Sequence, residues 1–383
     1  MQLQEINQLD LFSGIGGFHL GFERAGYKVN SYFSEVDKHA VAVYKNQFKD
    51  STYVGSVTDV RGEDLPRIDL ITFGSPCQDF SLAGKRKGMG GERSSLITEA
   101  IRLVHECRPR VFIWENVKGT FSSNDGADFW AIIQAFANIG GCRCEWQLCN
   151  TSWFLPQNRE RIYLVGYSTT PRGDWGGVFP LGEDDKSFTG KHGQDRWEFQ
   201  KAQAENVHAR TISSSTAKMS VDSNFIKVKS ATSKGYEVAT EGDSINLSQP
   251  NSETRRGRVG KGKAQTLETS CNQAVVEPKI IGYTRDAKGK VTDRHLKDEA
   301  GTIHSSSGGG GNTDQFVQDY RIRRLTPIEC ERLQGFPDNH TEYGNYDGEV
   351  KKMSNTQRYK QCGNAVTTDV VQAIAEKIKP LFK

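Results

Sequence analysis

The chain predicts a doubly wound α/β fold with a mostly parallel sheet, joined to a smaller second domain of mostly irregular and β structure. Three observations predict it. Short apolar runs alternate with helical patterns over residues 1–168, and strands alternating with helices build parallel sheets. A glycine-rich turn, Ser13-Gly14-Ile15-Gly16-Gly17, stands between the first strand and the first helix. There a ligand can approach the backbone closely at a helix N-terminus. From about residue 169 the composition shifts to Gly, Ser, Thr, Lys and Arg with few apolar residues, and it recovers after Tyr320. The expected division is therefore 1–168, 169–318 and 319–383, the last part packing back on the first.

In order, Ile6 to Phe12 reads as a strand and Phe18 to Ala25 as a helix. A second strand, Val29 to Ser34, ends in Glu35-Val36-Asp37 and leads into another helix. An acid closing the second strand, about 20 residues past the glycine turn, is placed to hold ribose hydroxyls. An acid held near a helix start by the helix dipole is the other reading, and the two are compatible. Thr52 to Val54 is a short strand. Ile68 to Phe73 is a buried strand that Gly74 and Pro76 break, so Cys77 stands on a turn at a strand's carboxyl end. Arg93 to Cys107 is a helix, and Val111-Phe112-Ile113-Trp114 is a buried strand ending in Glu115-Asn116-Val117. Gly126 to Ile139 is helical, and Cys142 to Asn150 and Ile162 to Gly166 are strands. Gly14, Glu35, Cys77 and Glu115 thus share one carboxyl edge, where ligands bind in open α/β sheets.

The second region carries a basic run, Arg255-Arg256-Gly257-Arg258-Val259-Gly260-Lys261-Gly262-Lys263, with five positive charges and no acid. Glycines between arginines let backbone approach phosphates, which makes Arg255, Arg256 and Arg258 candidate DNA contacts. Three related phrases, Ala209-Arg210-Thr211-Ile212, Ala264-Gln265-Thr266-Leu267 and Ala300-Gly301-Thr302-Ile303, read as short strands feeding loops. In the tail, Thr326-Pro327 opens a helix that Gly335 closes, and Gln361-Cys362-Gly363-Asn364-Ala365-Val366 starts a last amphipathic helix running to about Ile378.

Composition narrows the class. Of 383 residues, 36% are hydrophobic and 25% charged, the balance of a soluble globular protein. A net charge of +3 does not announce a polyanion partner, so any nucleic-acid surface comes from local clustering. The eight cysteines form no CxxC pair, and no histidine lies near Cys142–Cys149, so no metal is expected. A polar start and the lack of an 18-residue apolar run point to a cytoplasmic protein with free thiols and no membrane span.

A thiol on a fixed turn, a carboxylic acid and the arginines of Gln157-Asn158-Arg159-Glu160-Arg161 would gather beside a cofactor pocket. One reaction needs this set. Carbon 5 of cytosine becomes nucleophilic when a thiolate adds at carbon 6 and an acid near N3 stabilises the developing charge. Carbon 5 then takes a methyl group from a sulfonium donor. The base must leave the stack, so a closing loop is expected, and Gly84-Lys85-Arg86-Lys87-Gly88 is basic and glycine-hinged.

These stretches resemble the ordered motifs of the cytosine-C5 DNA methyltransferase family, of bacterial and phage type, along most of the chain outside the middle region. The resemblance implies the Rossmann-like fold of a class I AdoMet-dependent methyltransferase, S-adenosyl-L-methionine as cofactor and no metal. It implies catalysis by Cys77, with Glu115 at N3 and Arg159 and Arg161 steadying the base. For the cofactor it implies Phe12, Ser13, Gly14, Gly16 and Gly17, with Glu35 and Val36 after the second strand. Ser56 and Val57 follow the third strand, then Gly74, Pro76 and Leu96, and finally Asn364 and Val366. The family often has an acid near the adenine amino group, and here either Ser56 or Asp59 stands for it. Ala365 stands where a serine is frequent. DNA contacts are expected from Gln78, Ser81, Lys85, Arg86 and Lys87 beside the basic run.

Residues 169–318 correspond to the family's variable target recognition domain. The partner is double-stranded DNA, with a cognate restriction endonuclease in a restriction–modification system or none in orphan or phage methylation. The enzyme is expected to be a monomer. Two rivals are a tRNA cytosine methyltransferase, which resembles the family but has a much shorter variable region, and a degenerate methyltransferase-like regulator, against which intact Cys77, Glu115 and Arg159 count.

Overall fold

The computed structural model describes residues 3–75, 95–121, 127–139, 141–168, 175–182, 226–249, 252, 254–285, 291–297 and 316–382. The chain divides into two compact units, one of Met1–Lys201, Glu268–Ser270 and Pro327–Lys383, the other of Ala202–Leu267 and Cys271–Thr326.

The first unit is built on a seven-stranded sheet. In chain order it runs β1 (Gln4–Leu11), α1 (Gly17–Arg24), β2 (Tyr27–Ser34), α2 (Lys38–Gln47), β3 (Thr52–Tyr53) and β4 (Leu70–Gly74). There follow α3 (Ser95–Cys107), β5 (Val111–Val117), α4 (Ala127–Ala137), β6 (Arg143–Asn150), the two-residue β7 (Gln157–Asn158) and β8 (Glu160–Tyr167). The sheet order is β3-β2-β1-β4-β5-β8-β6. Strands β3 to β5 pair in parallel, and β8 is antiparallel to both its neighbours. No crossover helix separates β6 from β8, and strands joined by a short connection pair antiparallel.

Alternation along the strands divides the core. Leu9, Leu11, Ile71, Phe73, Phe112 and Trp114 join Leu103 of α3 and Phe136 of α4 on one face. Leu70, Val111, Ile113, Tyr163 and Val165 join Phe18 and Phe22 of α1 on the other. Glu115 follows Trp114 in the strand and so belongs to the α1 side.

The rest of this unit holds α5 (Pro327–Leu333), β17 (Tyr343–Tyr346), β18 (Glu349–Lys352), α6 (Asn355–Asn364) and α7 (Thr368–Lys377). Local chemistry sets their limits. Asp37 caps α2 by accepting the His39 N–H at 2.9 Å. Gly335 adopts φ +80 just past α5, where a left-handed residue ends a helix. Helix α7 closes directly on α1: a Cβ on Gly21 would lie 2.5 Å from Val371 Cγ1, so only glycine permits the approach.

The second unit is strand-rich. β9 (Ile226–Lys229) and β10 (Tyr236–Ala239) form an antiparallel pair. β11 (Ser244–Asn246), β12 (Val259–Gly260), β14 (Gln273–Arg285), β15 (Val291–Lys297) and β16 (Phe316–Arg324) make an antiparallel sheet around β14. Its small core includes Val228, Ala239, Ile245 and Val276. Ala264–Gln265 forms the short strand β13; the phrases at 209–212 and 300–303 lie outside the described residues. Arg258 is 3% exposed, and its guanidinium donates to the carbonyls of Ser248 and Gln249. Expected at a phosphate surface, it is instead an internal brace, its buried guanidinium turned onto the loop carbonyls of residues 248 and 249. Arg256 stays exposed, its Nε donating to Ala231 O at 2.8 Å.

Among the described residues no helix is long and apolar enough to cross a membrane. Nor do any of them form a group of three or more His, Cys, Asp or Glu that could hold a metal.

Candidate active site at the carboxyl edge of the sheet

Parallel β1, β2, β4 and β5 deliver their carboxyl ends to one edge, and antiparallel β8 delivers its beginning to the same edge. Register makes this concrete: Glu115 lies opposite Gly74 on one side and Tyr163 on the other, and Arg161 lies opposite Val117. The order reverses around β1 and β4, the place where an open α/β sheet forms its binding crevice.

The glycine turn sits above that crevice. Phe12 takes φ +52, a conformation a bulky side chain adopts only under constraint. The Ser13 N–H donates to Ser34 O at 3.1 Å, fastening the turn to the end of β2. The Gly14 N–H donates to Glu35 Oε2 at 2.9 Å, while Glu35 Oε1 accepts the N–H groups of Val36 and Asp37 at 2.8 and 2.9 Å. Glu35 is thus fixed by three backbone donors, and a carboxylate offers about four acceptor sites. From below, His340 Nε2–H donates to Ile15 O at 2.9 Å. Burial pushes His340 down to about 4, so the ring is neutral, and its carbonyl partner selects the Nε2–H tautomer.

This turn suits a small polar ligand. Ser13 Oγ is buried and has no hydrogen-bond partner among the described residues, although buried hydroxyls are normally paired. A Cβ on Gly14 would meet nothing within 4 Å, whereas one on Gly16 would strike the Phe48 ring at 2.3 Å. Val36, just past Glu35, is 77% exposed, an apolar surface at the rim.

The other expected cofactor residues are placed as follows. Gly17 abuts Val366, where a Cβ would lie 2.6 Å from Val366 Cγ2. Asn364 is exposed beside it. Ser56 shares a turn with Thr58 and Asp59, its Oγ 2.9 Å from Thr58 Oγ1. Val57 commits its side chain to the core on the α3 side, and Leu96 packs against the same cluster. Gly74 faces Glu115: a Cβ there would stand 3.0 Å from Glu115 Oε2. Pro76, Cys77, Gln78, Ser81, Lys85, Arg86 and Lys87 lie outside the described residues.

Glu115 is 8% exposed, and Arg161 Nε stands 3.1 Å from its Oε1. Burial raises the carboxyl above its usual range, and the charges of Arg161 and then Arg159 hold that rise back. The two arginines, expected to act together, have different partners. Arg159 is 3% exposed and forks to the closing segment, Nη1 to Gly363 O at 3.3 Å and Nη2 to Ala365 O at 2.8 Å. Next to Glu115, Trp114 Nε1 and Asn116 Nδ2 both donate to Ser75 Oγ, at 3.0 and 3.1 Å. The strand end that carries the acid therefore pins the residue two positions before Cys77. The sequence names Ser75, Asn116 and Gln157 only as parts of motifs, and His340 not at all. Their signal was present as small or polar residues beside glycine and proline breaks.

Residues 6–380 match the family model of the C-5 cytosine-specific DNA methylases. The chain belongs to that family. This methylase is therefore an enzyme of the DNA cytosine-5-methyltransferase class, as the motif order led one to expect. It is similar to the type II methyltransferase M.Bsp6I of Bacillus sp. (strain RFL6), at 29% identity over 96% of both chains. It is also similar to the orphan methyltransferase M.SPRI of Bacillus phage SPR, at 28% identity over 98% of this chain and 97% of that one. Among solved structures, S. pombe Dnmt2 methyltransferase superposes with a TM-score of 0.55 at 16% identity, covering 98% of the methylase and 99% of that chain. That likeness supports the fold.

Proposed function

We propose that the enzyme transfers a methyl group from S-adenosyl-L-methionine to carbon 5 of a cytosine turned out of a short specific site in duplex DNA. The observation that carries the reading is the buried Glu115 carboxyl paired with Arg161 at the same sheet edge where Trp114 and Asn116 hold Ser75. Cys77 thiolate adds to carbon 6, the ring's displaced electron pair moves toward N3, and protonated Glu115 donates its proton there. Arg161 holds Glu115 and the base in register, and Arg159 adds its charge while fastening the closing segment. The cofactor supplies an electrophilic methyl on a sulfonium, for which Ser13, Gly14, Glu35, Val36 and Asn364 are the nearest fitting groups. After transfer the carbon 5 proton leaves to a base, the thiolate departs, and aromaticity returns.

Arg255 and Arg256, with the loop of Lys85, Arg86 and Lys87, suit phosphate contact. One chain acting on one base needs no second copy, so we expect a monomer in the cytoplasm. The relatives are named as type II and orphan enzymes, so the role is restriction–modification with a partner endonuclease or methylation without one.

The test is incubation of unmethylated plasmid with S-adenosyl-L-methionine, read base by base by conversion sequencing. Protected cytosines in one repeated context are expected, and none with Cys77→Ala, which should still bind S-adenosylhomocysteine. An unprotected plasmid from enzyme shown to bind that product would overturn the DNA reading, and turnover by Cys77→Ala would overturn the covalent one.

A further inference from the structure

We propose that Gln334 is a positioning residue for the cofactor-side segment Gly363-Asn364-Ala365-Val366. The inference rests on the reading above that this segment borders the S-adenosyl-L-methionine pocket. Gln334 has no solvent exposure, and a buried primary amide is costly unless both its donor and its acceptor find partners. Here the partners are the two ends of one segment. Nε2 donates to Cys362 O at 2.9 Å, and Oε1 accepts the Thr367 hydroxyl at 3.0 Å. Cys362 and Thr367 flank residues 363–366 immediately, so one side chain spans both ends like a staple.

The direction of each bond is fixed by chemistry. A carbonyl only accepts, so the amide nitrogen must face Cys362 O, and Oε1 must then receive the Thr367 proton. With that proton used, Thr367 Oγ1 accepts from Thr151 Oγ1, 2.7 Å away. The Gln334 backbone oxygen also receives the Thr368 N–H at 3.0 Å and the Thr368 hydroxyl at 3.3 Å. One residue thus anchors the segment and the start of α7 together.

Inside the staple, Arg159 holds the carbonyls of Gly363 and Ala365, and Gly363 lies against backbone: a Cβ there would meet Glu268 C at 2.7 Å. Asn364 is left as the exposed member of the segment. Gln157, on the lead-in to the strand carrying Arg161, donates through Nε2 to Leu333 O at 2.9 Å. Gln334's side chain touches the ends of the segment that presents Asn364, while Gln157 secures the lead-in to the arginines separately.

The decisive experiment compares Thr367→Val, which removes the hydroxyl at nearly constant shape, with Thr367→Ser, which restores it, beside Gln334→Leu. Affinities for S-adenosylhomocysteine and for plasmid DNA are measured by titration, and KM and kcat are measured with S-adenosyl-L-methionine. Thr367→Val and Gln334→Leu should weaken S-adenosylhomocysteine binding and raise the cofactor KM about fivefold or more, the effect of one lost buried hydrogen bond. DNA affinity and kcat at saturating cofactor should stay within about twofold, and Thr367→Ser should return to the wild-type values. Cofactor affinity unchanged in Thr367→Val, or cofactor and DNA affinity falling together, would overturn the proposal even if Gln334→Leu does not fold. Wild-type enzyme that fails to bind S-adenosylhomocysteine would instead overturn the cofactor reading beneath it.

Discussion

Arg161 Nε lies 3.1 Å from Glu115 Oε1 across two antiparallel strands, and both side chains are largely withdrawn from water. Burial lifts the Glu115 titration, and Arg161 is the largest influence pulling it back. Removing that charge in Arg161→Met therefore moves the carboxyl further up. If Glu115 works as an acid, activity falls as pH rises through its titration, so this limb of the pH–rate profile should shift to higher pH. The overall rate should drop by about a hundredfold as orientation is lost. Glu115→Gln should abolish the limb while DNA binding persists. A limb unmoved in Arg161→Met would remove Glu115 from the acid role.

Arg159→Lys separates the second arginine from the first. Lysine keeps a positive charge but cannot reproduce the planar fork to Gly363 O and Ala365 O. The cofactor KM should rise by about tenfold, comparable to the loss of one charge-assisted hydrogen bond, with the pH limb in place. A shifted limb with normal cofactor binding would reverse the assignment.

Two glycines of the first turn should fail differently. Both need positive φ, at a cost of about 1–2 kcal/mol for an alanine. Gly14→Ala meets no atom of the described residues, so it should cost little more stability than that while weakening S-adenosylhomocysteine binding. Gly16→Ala drives a Cβ into Phe48, so it should lower the melting temperature clearly more than Gly14→Ala. Calorimetric melting and titration of both variants check the split.

Asp10 is fully buried in β1, three residues before Ser13 of the glycine turn, with Oδ1 accepting from Thr72 Oγ1 at 2.8 Å. Burial holds its carboxyl well above the usual range. The folded state therefore keeps a proton that the unfolded chain releases near pH 4. Stability from this group is complete below that pH and is lost as pH rises toward the folded titration. Asp10→Asn keeps the acceptor and removes the slope. Its denaturant midpoint, relative to wild type, should climb between pH 5 and pH 8, and parallel curves would contradict a proton held on Asp10.

What the sequence made legible was local. Strand, glycine turn and helix follow one another within residues 4–24, and Glu115 closes a continuous apolar run, so both could be placed on the carboxyl edge. Pairing across the sheet was less legible. That β8 enters antiparallel, bringing Arg161 beside Glu115, depends on contacts between strands distant in sequence. Arg159 was grouped with Arg161 by spacing, yet its acceptors lie 204 and 206 residues away. Arg258 looked like a surface charge because nothing in its neighbours' chemistry announces the turn carbonyls it satisfies.

The packing of α7 on α1 carries a consequence for biosynthesis. The apolar face of Phe18, Phe22 and Tyr27 is covered by Val370, Val371, Ile374 and Phe382, contributed from the far end of the described chain. As the polypeptide leaves the ribosome, the first helix and its strands emerge long before their cover exists. The sheet can begin to pair during that interval, but one side of it stays greasy and sticky until residues 370–382 have been made. The nascent enzyme should then be a client for holding chaperones until α7 arrives, and slow translation of the middle region would prolong the exposure.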